Sequence, residues 1–203
     1  MKDRYMKRCS LQLCQWLVLG VLMLAPMSGC AATQSCSSYA TPSADGRDPA
    51  TAQKLTFEAV ELMERDPAKA EKLLKDALTT DIFHGPAHNN LAVIYLNQGK
   101  LYEAANEFEW ARKLMPGHPD PRMNLAVTLE RAGRIDEALA TYDSALEVYP
   151  GHVPTMQALT RMQLREKRTD DRTPRMLREI ALAGETPQWR QWAQGQLTKL
   201  AKP

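Results

Sequence analysis

The chain has 203 residues, 44% apolar and 25% charged, values that exclude a wholly disordered or collagen-like chain. Aromatic residues make up only 6%, and 13 prolines against 10 glycines suit helices with proline starts better than a fold built on β-turns. The formal charge of +2 arises at the N-terminus. Lys2, Arg4, Lys7 and Arg8 face only Asp3 in the first 29 residues, and beyond them 22 basic residues stand against 23 acidic ones. The near-neutral body gives no electrostatic case for a nucleic-acid partner. Four cysteines are too few for a disulfide framework.

The positive charges precede Leu11–Ala25, which is apolar except for Gln12 and Gln15 and holds an unbroken run of ten from Trp16. A bilayer-spanning helix needs ~18–20 residues, so this length suits a signal-peptide core. The core ends in Pro26-Met27-Ser28-Gly29-Cys30. Small residues directly before a cysteine resemble the lipobox of bacterial lipoproteins, with a departure at Met27, where leucine is usual. The resemblance implies a signal peptide over residues 1–29 and lipidation of Cys30, the mature first residue. Ala31, not aspartate, follows it, which by the same resemblance implies the outer membrane, facing the periplasm. Several acyl chains, at ~0.8 kcal/mol per buried methylene, hold a protein stably where one chain does not. The alternative is an ordinary secretory signal cut near Ala32. Cys9 and Cys14 leave with the leader, and Cys36 remains as the free thiol. Residues 31–50 are Ala, Ser, Thr and Pro with almost nothing to bury. With Cys30 they read as a flexible tether, roughly 25 Å in root-mean-square reach.

From residue 51 the chain repeats. Sliding 85–118 onto 119–152 gives eleven identities, among them Asn90/Asn124, Leu91/Leu125, Ala92/Ala126, Gly99/Gly133, Ala104/Ala138, Ala111/Ala145 and Pro116/Pro150; composition predicts roughly two. Within a unit, Leu91, Ala92 and Tyr95 form one helical stripe, and Leu101, Ala104, Phe108 and Ala111 a second. Gly99 and Gly133 fall where the first helix must stop and reverse. Pro116 and Pro150 fall after the second helix, where a missing N–H does no harm. This pattern resembles the tetratricopeptide repeat (TPR), a helix-turn-helix unit of 34 residues, with a departure at the family's opening Trp, where His88 and Arg122 stand. The resemblance implies an all-α solenoid of about three repeats, 51–84, 85–118 and 119–152, with a partial unit 153–168. The unit 51–84 is a degenerate copy. Its second helix keeps Asp66, Ala70, Leu74 and Ala77 in phase, and its first is slipped by one, with Leu55, Ala59, Leu62 and Met63 as the apolar stripe. A break at Thr169-Asp170-Asp171-Arg172 precedes two capping helices in 169–203. Thr173-Pro174 and Thr186-Pro187 open them, and Trp189, Trp192, Ala193, Leu197 and Leu200 share a face that covers the open end of the stack.

No metal, cofactor or small-molecule chemistry is expected. His84, His118 and His152 are spaced by 34, which puts them in equivalent turns on the order of 10 Å apart, too far to converge on a metal with bonds of ~2.0–2.1 Å. Gly85-Pro86 are expected to deny His84 and His88 a common helix face. No HExxH, paired-Cys metal site, GxSxG, P-loop or GxGxxG occurs, so the chain does not read as an enzyme. The basic run Arg161–Arg178 reads as a solvated face.

A surface remains. The resemblance implies a concave groove lined by first helices, at Asn89, Asn90, Val93, Met123, Asn124, Val127, Gln157 and Arg161. A ladder of amides, Asn90 and Asn124 at equivalent positions, pairs with the backbone of an extended peptide. The groove lacks the Lys and Arg set by which chaperone-binding TPR domains clamp a C-terminal carboxylate, so an extended segment or amphipathic helix is the expected ligand. Exposed Trp110 is either a dimer contact or partly buried. The expected function is a membrane-anchored adaptor that binds protein partners in the bacterial envelope. A pilotin-like assembly factor for pili or secretins, and a subunit of a cell-wall enzyme complex, are the alternatives.

Overall fold

The computed structural model describes residues 46–201. The expected signal peptide, Cys30 and the tether as far as residue 45 lie outside the described residues. Within them the chain forms helices only: α1 Pro49–Val60, α2 Pro67–Thr80, α3 Gly85–Asn97, α4 Leu101–Leu114, α5 Asp120–Arg131, α6 Ile135–Val148, α7 Val153–Arg165, α8 Thr173–Ala183 and α9 Pro187–Leu200. Seven of these start with proline in the first two positions, where its missing N–H is one of the helix's unpaired donors anyway.

The first helix begins inside the stretch expected to be tether. Asp48 caps it, accepting the Thr51 N–H at 3.0 Å and the Thr51 hydroxyl at 2.6 Å. The Asp48 N–H donates to the Thr80 carbonyl at 3.1 Å, and Arg47 pairs with Asp81. These contacts tie α1 to the end of α2. α1 buries Ala52, Thr56 and Ala59. Leu62 and Met63 of the expected stripe lie beyond its end and pack on the same core from the turn.

One burial pattern runs through the second helices. α2 buries Ala70, Leu74 and Ala77, α4 buries Ala104, Phe108 and Ala111, and α6 buries Ala138, Tyr142 and Ala145. In each, alanines flank one large side chain at helical spacing, which lets neighbouring helices approach closely. α8 continues the series with Thr173, Leu177 and Ile180, one residue late. α7 and α8 therefore make a fourth helix pair across the expected boundary at 169, and the extra residue is absorbed in the turn. There the Asp170 carboxylate accepts the N–H groups of Arg172 and Thr173 at 2.9 and 3.0 Å and the Gln163 amide at 3.2 Å. Burial pushes the Asp170 carboxyl up, but hydrogen bonding and charge from Arg172, with help from Thr173, hold it below the usual aspartate range.

α9 alone lies past the last pair. It packs on α8, with Trp189, Trp192 and Leu197 against the main core and Ala193 buried within it. The two indoles meet edge to face, centroids 5.2 Å apart, a favoured aromatic geometry. Leu200, expected on the same face, is half exposed. The core itself is divided along the stack. One cluster joins α1, α2 and α3, a larger one runs from α3 to α9, and α3 contributes Leu91 and Ile94 to the first and Ala92 and Leu96 to the second.

Gly99 and Gly133 turn the chain with φ of +76°, and a Cβ at either position meets nothing within 4 Å. Gly99→Ala and Gly133→Ala are thus expected to lower stability through backbone conformation alone, by about 1 kcal/mol each. Urea unfolding followed by circular dichroism measures this; no change at either site contradicts the assignment of the turn to left-handed geometry.

Candidate functional site

The first helices stack along one side of the molecule, with α3 packed against both α1 and α5. Repeat spacing sets equivalent positions of these helices in rows: Asn89, Met123 and Gln157 in one, Val93, Val127 and Arg161 in a second. Asn90 and Asn124 are likewise equivalent. Asn89, Asn90, Val93, Met123, Asn124 and Val127 are all half-buried. The three asparagines come together: Asn124 Nδ2 donates to Asn89 Oδ1 at 3.5 Å and Asn89 Nδ2 to Asn90 Oδ1 at 3.4 Å. Contacts this long are weak, and they leave most of the amides' donor and acceptor capacity open to a ligand. Val93 also borders a separate open cavity of about 700 Å³, with Val60, Met63, Ile94 and Asn97.

The two α7 residues behave differently. Gln157 is only 4% exposed, and its Nε2 is buried without a hydrogen-bond partner. α7 buries seven of its thirteen residues, because it packs between α6 and α8. Arg161 is exposed and lies 3.9 Å from Glu130.

Glu130 belongs to a network the sequence reading missed. Its carboxylate accepts the Tyr142 hydroxyl at 3.0 Å and the Arg165 guanidinium at 2.7 Å, with its side chain 10% exposed. Burial first, then the Glu130 charge, pushes the Tyr142 phenol above its ordinary range, so the hydroxyl stays a donor. Arg131, 34 residues before Arg165, makes the corresponding reach backward, to the Leu96 carbonyl at 3.2 Å. Arg168 meets Asp136 at 2.6 Å and Arg172 meets Asp143 at 3.0 Å. The basic run expected to be a solvated face thus binds the fourth helix pair to the third. The only signal in the sequence was paired substitution at repeat spacing: Leu96 becomes Glu130 and Phe108 becomes Tyr142.

His88 and Arg122, at the positions of the missing tryptophans, both turn inward to polar partners. His88 is buried and stacks on Trp110, centroids 5.7 Å apart, which accounts for the partial burial of that indole. Its Nδ1 lies 2.6 Å from Glu107 and its Nε2 2.8 Å from the Ile82 carbonyl. Arg122 donates to the Pro116 carbonyl at 3.0 Å. Gly85 and Pro86, expected to separate His84 from His88, form the first turn of α3 with His84 at its N-cap. Among the described residues no three His, Cys, Asp or Glu side chains are placed to hold a metal.

Residues 89–153 match the sequence profile of the tetratricopeptide repeat, the span in which the helix pairs, turn glycines and alanine-flanked aromatics coincide. Over these residues the chain is built of tetratricopeptide repeats. Solved structures agree on the fold. The first TPR of Spaghetti (RPAP3) bound to the HSP90 peptide SRMEEVD is 15% identical, with a TM-score of 0.57 over 60% of this chain and 98% of that one. A TPR protein from Parabacteroides merdae is 19% identical, with a TM-score of 0.61 over 74% of this chain and 60% of that one. The Thermobaculum terrenum O-GlcNAc transferase is 22% identical, with a TM-score of 0.59 over 72% of this chain but 27% of the enzyme. No curated protein matches the sequence. TPR domains are in general non-catalytic interaction scaffolds, and some belong to enzyme chains.

The TPR units offer an internal comparison for the Glu130 network. The pair Glu130/Tyr142 replaces the apolar Leu96/Phe108 of the preceding repeat, both of which are buried. Glu130→Leu alone strands the buried Tyr142 hydroxyl and is expected to destabilise by about 1–3 kcal/mol. Adding Tyr142→Phe is expected to recover most of that loss, because replacing both partners by apolar groups is nearly neutral. Thermal unfolding of the two variants measures this, and additive losses would contradict it.

Proposed function

We propose that this protein is a lipid-anchored adaptor of the bacterial envelope. Cys30 attaches it to the membrane, and the wall of first helices receives an extended segment of a partner protein. The single observation that carries the groove reading is the cluster of Asn89, Asn90 and Asn124, whose mutual contacts of 3.4 and 3.5 Å leave their amides underused. Val93, Met123 and Val127 beside them supply half-buried apolar surface. Amides pair with a partner's backbone while the apolar positions take alternate side chains. The structure of a similar TPR with a bound peptide gives the reading a precedent in fold. Anchoring rests on the lipobox-like Met27-Ser28-Gly29-Cys30, and the outer membrane is inferred from Ala31.

Two measurements test the parts separately. Cys30→Ala is expected to move the protein from the membrane fraction to the soluble fraction; retention on membranes would end the anchoring argument. In detergent-solubilised membranes, the triple variant Asn90→Ala/Met123→Glu/Asn124→Ala is expected to lose the partner that co-purifies with the wild type, while its helical circular dichroism is unchanged. An unaltered set of partners would move binding off the first-helix wall.

A further inference from the structure

The turn between α2 and α3 and the last part of α4 bring large apolar side chains together at the surface. Ile82 is 55% exposed, Phe83 52% and Trp110 44%. His88 joins them from beneath, since its Nε2 lies 2.8 Å from the Ile82 carbonyl and its ring stacks on Trp110. Cations border the patch. The Arg47 guanidinium sits 5.1 Å over the Phe83 ring, and the Lys113 ammonium 5.7 Å over Trp110. The neighbouring carboxylates are engaged within the fold. Asp81 is buried, accepts the Phe83 N–H at 3.1 Å and pairs with Arg47 at 3.6 Å, while Glu107 lies 2.6 Å from His88. Basic side chains around tryptophan and other large apolar residues are the composition of surfaces that lie at a membrane–water boundary. There a lysine keeps its charged head in water while its stem covers apolar surface.

The place of the patch in the chain identifies the surface that it meets. Cys30 lies 17 residues before Arg47, a separation of at most about 60 Å in fully extended chain. The chain therefore enters its helix stack at the patch, beside the first helix pair, whereas the exposed Leu182 lies on α8 in the fourth. A second copy of the chain is the poorer occupant. Three half-exposed side chains offer roughly 300 Å², against the ~800 Å² per partner of a stable protein interface. A bilayer needs no such area, because the acyl anchor already holds the protein at high local concentration and the patch has only to orient it. We infer that Ile82, Phe83 and Trp110 form a second membrane contact, seated in the interfacial layer of the bilayer with Lys113 and Arg47 at the headgroups. The inference rests on the anchoring of Cys30 and adds to it an orientation. The bilayer meets the α2–α3 turn and α4, and none of the wall residues proposed to receive a partner belongs to the patch.

The full-length chain, expressed in bacteria and purified as the cell processes it, is incorporated into vesicles of phosphatidylethanolamine and phosphatidylglycerol and recovered by flotation. Tryptophan emission is compared between ordinary vesicles and vesicles whose lipids are brominated near the headgroup end of the acyl chains, since bromine quenches an indole that it touches. The difference between wild type and Trp110→Phe isolates the Trp110 contribution, which is expected to be quenched. Ile82→Glu/Phe83→Glu is expected to abolish the quenching without changing the unfolding midpoint, because both side chains are more than half exposed. Unquenched Trp110 emission in floated wild type overturns the inference and leaves the anchor standing. Self-association in lipid-free detergent that the Ile82/Phe83 variant loses, with Trp110 unquenched, overturns it in favour of a second copy. A wild-type protein that does not float overturns both the contact and the anchor. Cys30→Ala separates the two readings: if it stays on cell membranes and is released only when Ile82→Glu/Phe83→Glu is added, the anchor falls and the contact stands.

Discussion

A solenoid buries its core only between neighbours, and here the contact that permits this is the approach of each second helix to the first helices on either side of it, across an alanine–large–alanine stripe. Ala104 and Ala111 around Phe108, and Ala138 and Ala145 around Tyr142, are all fully buried. Each large side chain contributes about 1.5–3 kcal/mol through burial, but only because the flanking alanines let the adjacent backbone close over it. Enlarging an alanine would hold the helices apart and open the core on both sides. The rest of the molecule depends on that spacing, including the rows along the first helices, since residues 34 apart line up only if every pair stacks at the same distance.

The stack must also end. At the C-terminus α9 covers the last pair with Trp189 and Trp192, amphipathic rings that combine a large apolar body with a polar edge. Before that end the pattern shifts by one residue, and polar bonds hold the shifted pair in place. Arg165 to Glu130, Arg168 to Asp136 and Arg172 to Asp143 cross from the fourth pair to the third. Exposed pairs of this kind contribute little, ~0–1 kcal/mol each. The Glu130 network is different, because its carboxylate is nearly buried and the Tyr142 hydroxyl that it accepts is in a fully buried side chain with no alternative in water. Repeat three thus replaces an apolar contact with a polar one at the same position.

Much of this was legible in the residues. Eleven identities at a period of 34, turn glycines at 99 and 133, and proline starts fixed the helices and their pairing, because propensity, capping and hydrophobic period are local properties that agree with one another. The rows of the wall were legible for the same reason. The start of α1 at Pro49 was hidden by the polar composition around it, although Asp48-Pro49 is itself a cap signal. The pairing of α8 with α7 was hidden by an inserted residue that breaks the period without changing the face. The burial of Gln157 follows from packing on more than one side of α7, which no single-helix periodicity reveals.

The sequence by itself determined the period and the helical faces, since each depends on residues within about one repeat of each other. Tertiary structure decided which polar groups meet. Arg165 and Glu130 lie 35 residues apart, His88 and Glu107 lie 19 apart, and either arginine or glutamate read alone looks like an ordinary solvated charge. Their partners are chosen by the stacking distance and by the lack of water between the helices, which are properties of the assembled stack and of no single segment.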